Sequence, residues 1–352
     1  MAYKRIGVVG ADAALNEIIA FVTTDPALVA LGQNWSVVWQ QDTRPTNKRK
    51  QVMLKGPGLA ASDEVFITLC AITDFRTVGE TSLIIAGATG PNMGQQMWDT
   101  QYGATTRPPM VYLDNTTPME LFMVANGRRF IVVVKTSTVY QPLYAGLILP
   151  YATPNMYGYP LYVGGTAGYT GAGASYPISW RNAVRDGFSA FPMAYSYYST
   201  SSNYSEVPAM LLRPDGTWAY VAAEQGSGSL TFADKICIAP VAQPTNMGDG
   251  VNANSMYFGT QTDIGGIGYF DVIRYTIDCI GGGIVTAPYT LYFSRITGAP
   301  DVVTYGILDG IEHVINREAT AESTFLRDGV EFMVFPNVMR TTNGLYFALA
   351  LE

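Results

Sequence analysis

A single histidine, His313, is available to this chain of 352 residues for proton transfer near neutral pH. A Ser-His-Asp relay needs its base beside a nucleophile, and no Gly-x-Ser-x-Gly segment is present. His313 lies in Gly310-Ile-Glu-His-Val-Ile315, a strand pattern that turns it away from Glu312 and Val314 and gives it a hydrogen-bonding role. Glycoside hydrolysis needs two carboxyl groups facing one bond. Asp114, Glu120, Asp215, Glu224, Asp271 and Asp309 are scattered, mostly in turn sequences, and spacing pairs none of them. Ile6-Gly-Val-Val-Gly-Ala-Asp12 precedes a helical pattern, but Gly7 and Gly10 do not make the G-x-G-x-x-G order that lets backbone approach a pyrophosphate. Asn246-Met-Gly-Asp-Gly-Val-Asn252 offers oxygen ligands without the order of a calcium loop. Cys70, Cys237 and Cys279 are odd in number and widely spaced, so they read as buried thiols of a reducing compartment. The expectation is a chain with no catalytic constellation, no cofactor and no metal site.

Composition narrows the class. Hydrophobic residues make up 48% of the chain and charged residues 14%, well under the usual quarter, with a net charge of −7. The densest basic run, Lys48-Arg49-Lys50, is too short to track a nucleic-acid backbone, so extended nucleic-acid binding is not expected. The amino-terminal residues show no signal-peptide pattern. The most apolar stretch, Tyr140–Val163, is broken by Pro142, Pro150, Pro154 and Pro160, so membrane insertion is not expected. Synthesis in the cytoplasm follows. The 36 glycines, 20 prolines and 23 tyrosines favour short strands, tight turns and aromatic contact surfaces.

The elements that would position any site are mostly strands. Phe130–Val134 is apolar at five successive positions, and a continuous run means that both faces of the strand are covered. It follows Asn126-Gly127, whose tolerance of positive φ predicts a type I′ hairpin with Met119–Ala125. A helix is expected over Ala13–Val22, with Leu15, Ile18, Ile19 and Val22 on one face and Asp12 as its cap, then a short one after Asp25-Pro26. Strands are expected at Trp35–Gln40, Gln51–Lys55, Glu64–Ile72, Ser82–Ala86 and repeatedly after Ala209, with Asn92–Pro109 a polar loop. Turns are expected at Asp215-Gly216, Asp309-Gly310, Asp328-Gly329 and Asn343-Gly344. The fold class is therefore mainly β (α+β): antiparallel, sandwich-like sheets with a short helical region near the amino terminus. Residues 1–164 read as an α+β domain around the central hairpin, 165–207 as an irregular Tyr/Gly/Ser-rich connection, and 208–352 as a β domain.

Thr136–Trp180 contains no charged side chain, and ten tyrosines fall between Tyr151 and Tyr204. An uncharged surface of that length needs cover, so contacts between subunits are expected. The residues expected to make them are Tyr140, Tyr144, Tyr151, Tyr157, Tyr159, Tyr162, Tyr195, Tyr197 and Tyr198.

Ala125-Asn-Gly-Arg-Arg-Phe-Ile-Val-Val-Val-Lys-Thr-Ser-Thr-Val-Tyr140 and Gly146-Leu-Ile-Leu-Pro-Tyr-Ala-Thr-Pro154 resemble a family of virion structural proteins of tailed bacteriophages and prophages. Leu54-Lys-Gly-Pro-Gly-Leu59, Leu212-Arg-Pro-Asp-Gly-Thr-Trp218, Tyr305-Gly-Ile-Leu-Asp-Gly-Ile311 and Phe335-Pro-Asn-Val-Met-Arg340 extend the resemblance, with 166–207 the least similar part. It implies a non-enzymatic subunit of the virion, in the tail near the baseplate or tail tip, that contacts copies of itself and other virion proteins. A receptor- or glycan-binding virion protein, a capsid- or neck-associated decoration protein and a cell-wall hydrolase are the alternatives.

Overall fold

The computed structural model describes residues 1–44, 48–58, 63–73, 80–106, 108–150, 160–168, 209–213, 215–222, 235–239, 284–294, 302–315, 319–336 and 345–351. The chain opens with β1 (Ala2–Val9), α1 (Ala11–Thr24) and α2 (Pro26–Ala30). It continues through β2 (Ser36–Asp42), β3 (Arg49–Gly56), β4 (Val65–Thr73), β5 (Glu80–Ala88) and β6 (Pro109–Asp114). Next come β7 (Pro118–Ala125), β8 (Arg129–Thr136), β9 (Val139–Leu147), β10 (Leu149–Pro150), β11 (Leu161–Gly164) and β12 (Ala167–Gly168). The second half supplies β13 (Ala209–Leu212), β14 (Trp218–Ala222), β15 (Lys235–Ala239), β16 (Val285–Ser294), β17 (Val302–Ile315), β18 (Thr324–Arg327), β19 (Val330–Pro336) and β20 (Leu345–Ala350).

The architecture is mainly β, as composition and patterning imply. One sheet has the order β12-β6-β5-β4-β3-β2; the other runs β1-β7-β8-β9-β11-β13-β14-β15-β16-β17-β20-β19-β18, with β10 also on β17. The described pairings are antiparallel apart from β14–β15. The long sheet folds back over itself. Phe130, Val132 and Val134 of β8 pack with α1 and the smaller sheet, through Leu15, Ile18, Leu54, Ile67 and Leu83 among others. Ile131 and Val133 face the other way, toward Tyr289, Leu291, Phe335 and Phe347 of the second half. β7, β8 and β9 are therefore the middle of three stacked layers. This is the arrangement a continuous apolar run demands, because a strand places successive side chains on opposite faces.

The expected boundary between 1–164 and 208–352 is crossed by this sheet. β13 pairs with β11, and residues of both halves share one apolar cluster. The helical run Ala11–Ala30 is long and apolar enough to span a membrane by composition, but Leu15, Ile18, Phe21 and Val22 are buried in the core.

Local expectations fare unevenly. Asp25 caps α2, its Oδ1 accepting from Ala27 N at 2.9 Å. Asp12 does not cap α1; Gly10 holds that position with φ 87°, and Asp12 pairs with Arg44. The Asn126-Gly127 hairpin is present, but neither residue has positive φ, so the turn is not type I′. Asn126 Oδ1 accepts from Arg128 N and Arg129 N, each at 3.0 Å, and this side-chain mimic of a backbone turn closes the loop. Gly127 is small for a packing reason: a Cβ there would lie 2.8 Å from Pro57 Cγ. Asp328 (φ 52°) and Gly329 (φ 82°) do form a two-residue turn of the I′ kind between β18 and β19. Asp215 Oδ1 accepts from Thr217 N at 2.9 Å and Gly216 has φ 81°, which makes the expected turn before β14. Asp309-Gly310 is not a hairpin turn. It is an irregularity inside β17, where the register against β16 shifts between Pro288 and Thr290. Asn343 and Gly344 lie outside the described residues. β6 was not expected; only its first residue, Pro109, fell in the expected loop, at a strand start where proline is tolerated.

Ile131→Ala should cost about 2–5 kcal/mol, since it opens a cavity in a dry interface. Leu326→Ala on the edge strand β18, where Leu326 is 75% exposed, should stay within about 0.5 kcal/mol. Urea unfolding of both variants checks this, and equal losses would contradict the layer assignment.

Candidate functional site

Among the described residues, two clusters of ionisable side chains join the middle layer to the second half of the chain; Arg44 with Asp12 and Asp42, and Arg327 with Glu312 and Asp328, group elsewhere. The first is built at the start of β8. Arg129 has no exposed surface, and its Nε donates to Asp309 Oδ2 at 2.9 Å. Arg128 Nε donates to the same oxygen at 2.8 Å, and Asn126 Nδ2 at 3.4 Å. The β17 irregularity is what brings Asp309 there. Gly310 has φ 71°, and a Cβ on it would sit 1.9 Å from Arg129 Nη2, so a side chain there would both strain the backbone and displace the guanidinium. Tyr144 of β9 completes the wall: its hydroxyl donates to Leu147 O at 2.9 Å and accepts from Asp309 N at 3.3 Å.

The second cluster lies at the other end of β8. Glu322 has a left-handed backbone (φ 64°). Its carboxylate accepts from Tyr140 OH at 2.7 Å, from Arg5 Nη2 at 2.9 Å and from Lys135 Nζ. Arg5 Nε also donates to Glu120 at 2.6 Å, and Lys135 lies 3.4 Å from Glu120. Two cations thus stand between two carboxylates.

The electrostatics fix the protonation states. Burial pushes the Asp309 carboxyl up, but Arg129 and Arg128 outweigh it and hold it below its usual range. Glu322 follows the same pattern, with burial opposed by Lys135, Tyr140 and Arg5. The hydrogen bond from Arg5 does most to lower Glu120. Burial does most to push Tyr144 up, opposed by the Arg129 charge and helped by that of Asp309, and burial takes His313 down to about 3 against one favourable backbone hydrogen bond, so both are neutral at pH 7. Ionised carboxylates committed to cations accept hydrogen bonds and fix orientation; they are not poised to move protons.

The residues singled out by sequence are placed as follows. Tyr144 and Tyr162 are fully buried and meet edge-to-face with ring centroids 5.4 Å apart, and Tyr140 is buried at the Glu322 cluster. The expectation that these three contact a neighbouring subunit is corrected: the sheet folds back and covers them from within the same chain. Tyr151, Tyr157, Tyr159, Tyr195, Tyr197 and Tyr198 lie outside the described residues, as do Glu224, Asp271 and Asn246–Asn252. Asp114 serves its own turn, accepting from Thr116 N at 2.8 Å and Thr117 N at 2.7 Å. His313 meets Tyr289 edge-to-face, and its neighbour Glu312 pairs with Arg327. Lys50 of the basic run is buried and donates to Asn16 Oδ1 at 2.9 Å. Cys70 is buried, and burial raises its thiol to about 12. Among the described residues, no three His, Cys, Asp or Glu side chains group as metal ligands.

Arg129 and Glu322 carry the two clusters, and sequence reasoning did not find them. No local pattern marks Arg129, whose partner Asp309 lies 180 residues further on. The chain matches no protein-family model and none of the curated proteins compared with it.

Asp309→Asn should cost about 3–5 kcal/mol at pH 7, because it strands a buried guanidinium. The sign of the pH effect follows from the depressed carboxyl. Its stabilisation is complete above the unfolded-state pKa of about 3.9 and disappears as pH falls through the lower folded-state value. Urea unfolding across the acid range should show the gap between wild type and Asp309→Asn closing below about pH 4; a gap independent of pH would contradict the assignment.

Proposed function

We infer that this chain is a non-enzymatic structural subunit of a tailed-bacteriophage particle, sited in the tail at or near the baseplate or tail tip. Its partners are copies of itself and other virion proteins. The observation that carries the reading is where the ionisable groups go. Asp309 pairs with Arg129 and Glu322 with Lys135 between layers, Glu120 pairs with Arg5 and Lys135 within the middle layer, and none of these carboxylates is a free acid or base. Such an allocation suits a rigid building block. The uncharged Thr136–Trp180 stretch and the resemblance of Ala125–Tyr140 to virion structural proteins support the same reading. Tyr140, Tyr144 and Tyr162 no longer serve as contact residues in it. Subunit contacts are assigned instead to the tyrosines between Tyr151 and Tyr159 and between Tyr195 and Tyr204.

Antibody raised against the purified chain should label the tail end of intact particles in electron micrographs, at several copies per particle. Absence of the chain from purified particles would overturn the proposal. So would turnover of purified peptidoglycan that is abolished by a single Asp or Glu substitution.

A further inference from the structure

Arg129 has no exposed surface at all (0%), whereas the buried Lys50 and Glu312 each keep 9%. A guanidinium presents five N–H donors, and each one buried without an acceptor is costly. Here Nε is used by Asp309, and Nη2 donates to the thioether of Met1 at 3.0 Å, a weak acceptor. Nη1 is buried and has no protein acceptor. Charge is out of balance in the same place. Arg128 and Arg129 share one carboxylate, Asp309, and the third polar group on that oxygen, Asn126, is a neutral amide. The cluster is therefore short of one negative charge and one acceptor together.

The surroundings limit what can supply them. Arg129 is pressed by glycine backbone on two sides: a Cβ on Gly310 would fall 1.9 Å from Nη2, and a Cβ on Gly146 would fall 2.4 Å from Arg129 Cα. Phe130, Ile131 and Tyr144 beside it are buried. A ligand here must be small, must accept without donating, and must carry negative charge into an apolar interior where an unpaired cation is unfavourable. We propose that Arg129 Nη1 holds a monovalent halide, chloride under physiological conditions, as a structural counter-ion locking the β8 start to the β17 irregularity.

The test uses the whole chain. Thermal unfolding is followed while chloride replaces gluconate at constant ionic strength. A filled site gives a saturable rise in Tm, of about 2 °C or more. A general salt effect is not saturable. Asn126→Asp supplies the missing charge locally while its Oδ1 can still accept from Arg128 N and Arg129 N, so this variant should lose the chloride dependence. Crystals grown in bromide should show an anomalous peak within hydrogen-bond reach of Nη1, and this arm decides alone if the variant does not fold. Three results overturn the proposal: no saturable chloride dependence in the wild-type chain, density at Nη1 without anomalous signal (water only), or a protein acceptor facing Nη1. Retained chloride dependence in a folded Asn126→Asp does so as well.

Discussion

Everything in this fold depends on β8 being dry on both faces. Its odd positions run Arg129, Ile131, Val133, Lys135, and its even positions Phe130, Val132, Val134, Thr136. The even face is apolar from Phe130 to Val134 and takes α1 and the smaller sheet. The odd face is apolar in the middle and cationic at both ends, and the second half of the chain meets it with the same pattern in complement. Phe335 and Phe347 belong to the apolar cluster of that face, Asp309 meets Arg129, and Glu322 meets Lys135. Apolar area drives the two layers together. The carboxylates then fix which of several sliding positions is adopted, because any other leaves a buried cation unpaired.

That division of labour explains two unusual backbone positions. Glu322 holds a left-handed conformation that non-glycine residues rarely adopt, and Gly310 holds one that also gives the Arg129 guanidinium its room. Each belongs to, or adjoins, the carboxylate that reaches the middle layer. Local distortion is tolerated because three hydrogen bonds to Glu322 and three to Asp309 offset it. The ion pairs need not add much net stability, since desolvation cancels much of their attraction; their measurable effect is the cost of removing one partner.

Much of the layer arrangement was legible from residue types. Phe130–Val134 announced a strand with two covered faces, Leu15, Ile18 and Val22 announced the core face of α1, and Asp328-Gly329 announced its own turn. What stayed hidden depends on contacts distant in sequence. Asn126-Gly127 gave the right hairpin by another mechanism, because Asn126 uses its side chain rather than positive φ. Asp309-Gly310 looked like a turn, and only pairing with β16 shows it as a distortion within a strand. Tyr144 and Tyr162 looked like contact residues, since an uncharged stretch says that cover is needed but not that the same chain provides it. The candidate site was the least legible part. Lys135 and Glu322 are 187 residues apart, and no local pattern marks such a pair.

Amide hydrogen exchange along β8 tests the three-layer account most directly. With both faces covered and ladders to β7 and β9 on either side, the amides of Ile131–Val134 should open only with global unfolding. They should exchange more slowly than those of the edge strands β2 and β18, and Asp309→Asn should speed them by the same factor by which it lowers global stability. Exchange at Ile131–Val134 as fast as at β2, or indifferent to Asp309→Asn, would mean that the second half does not close over β8.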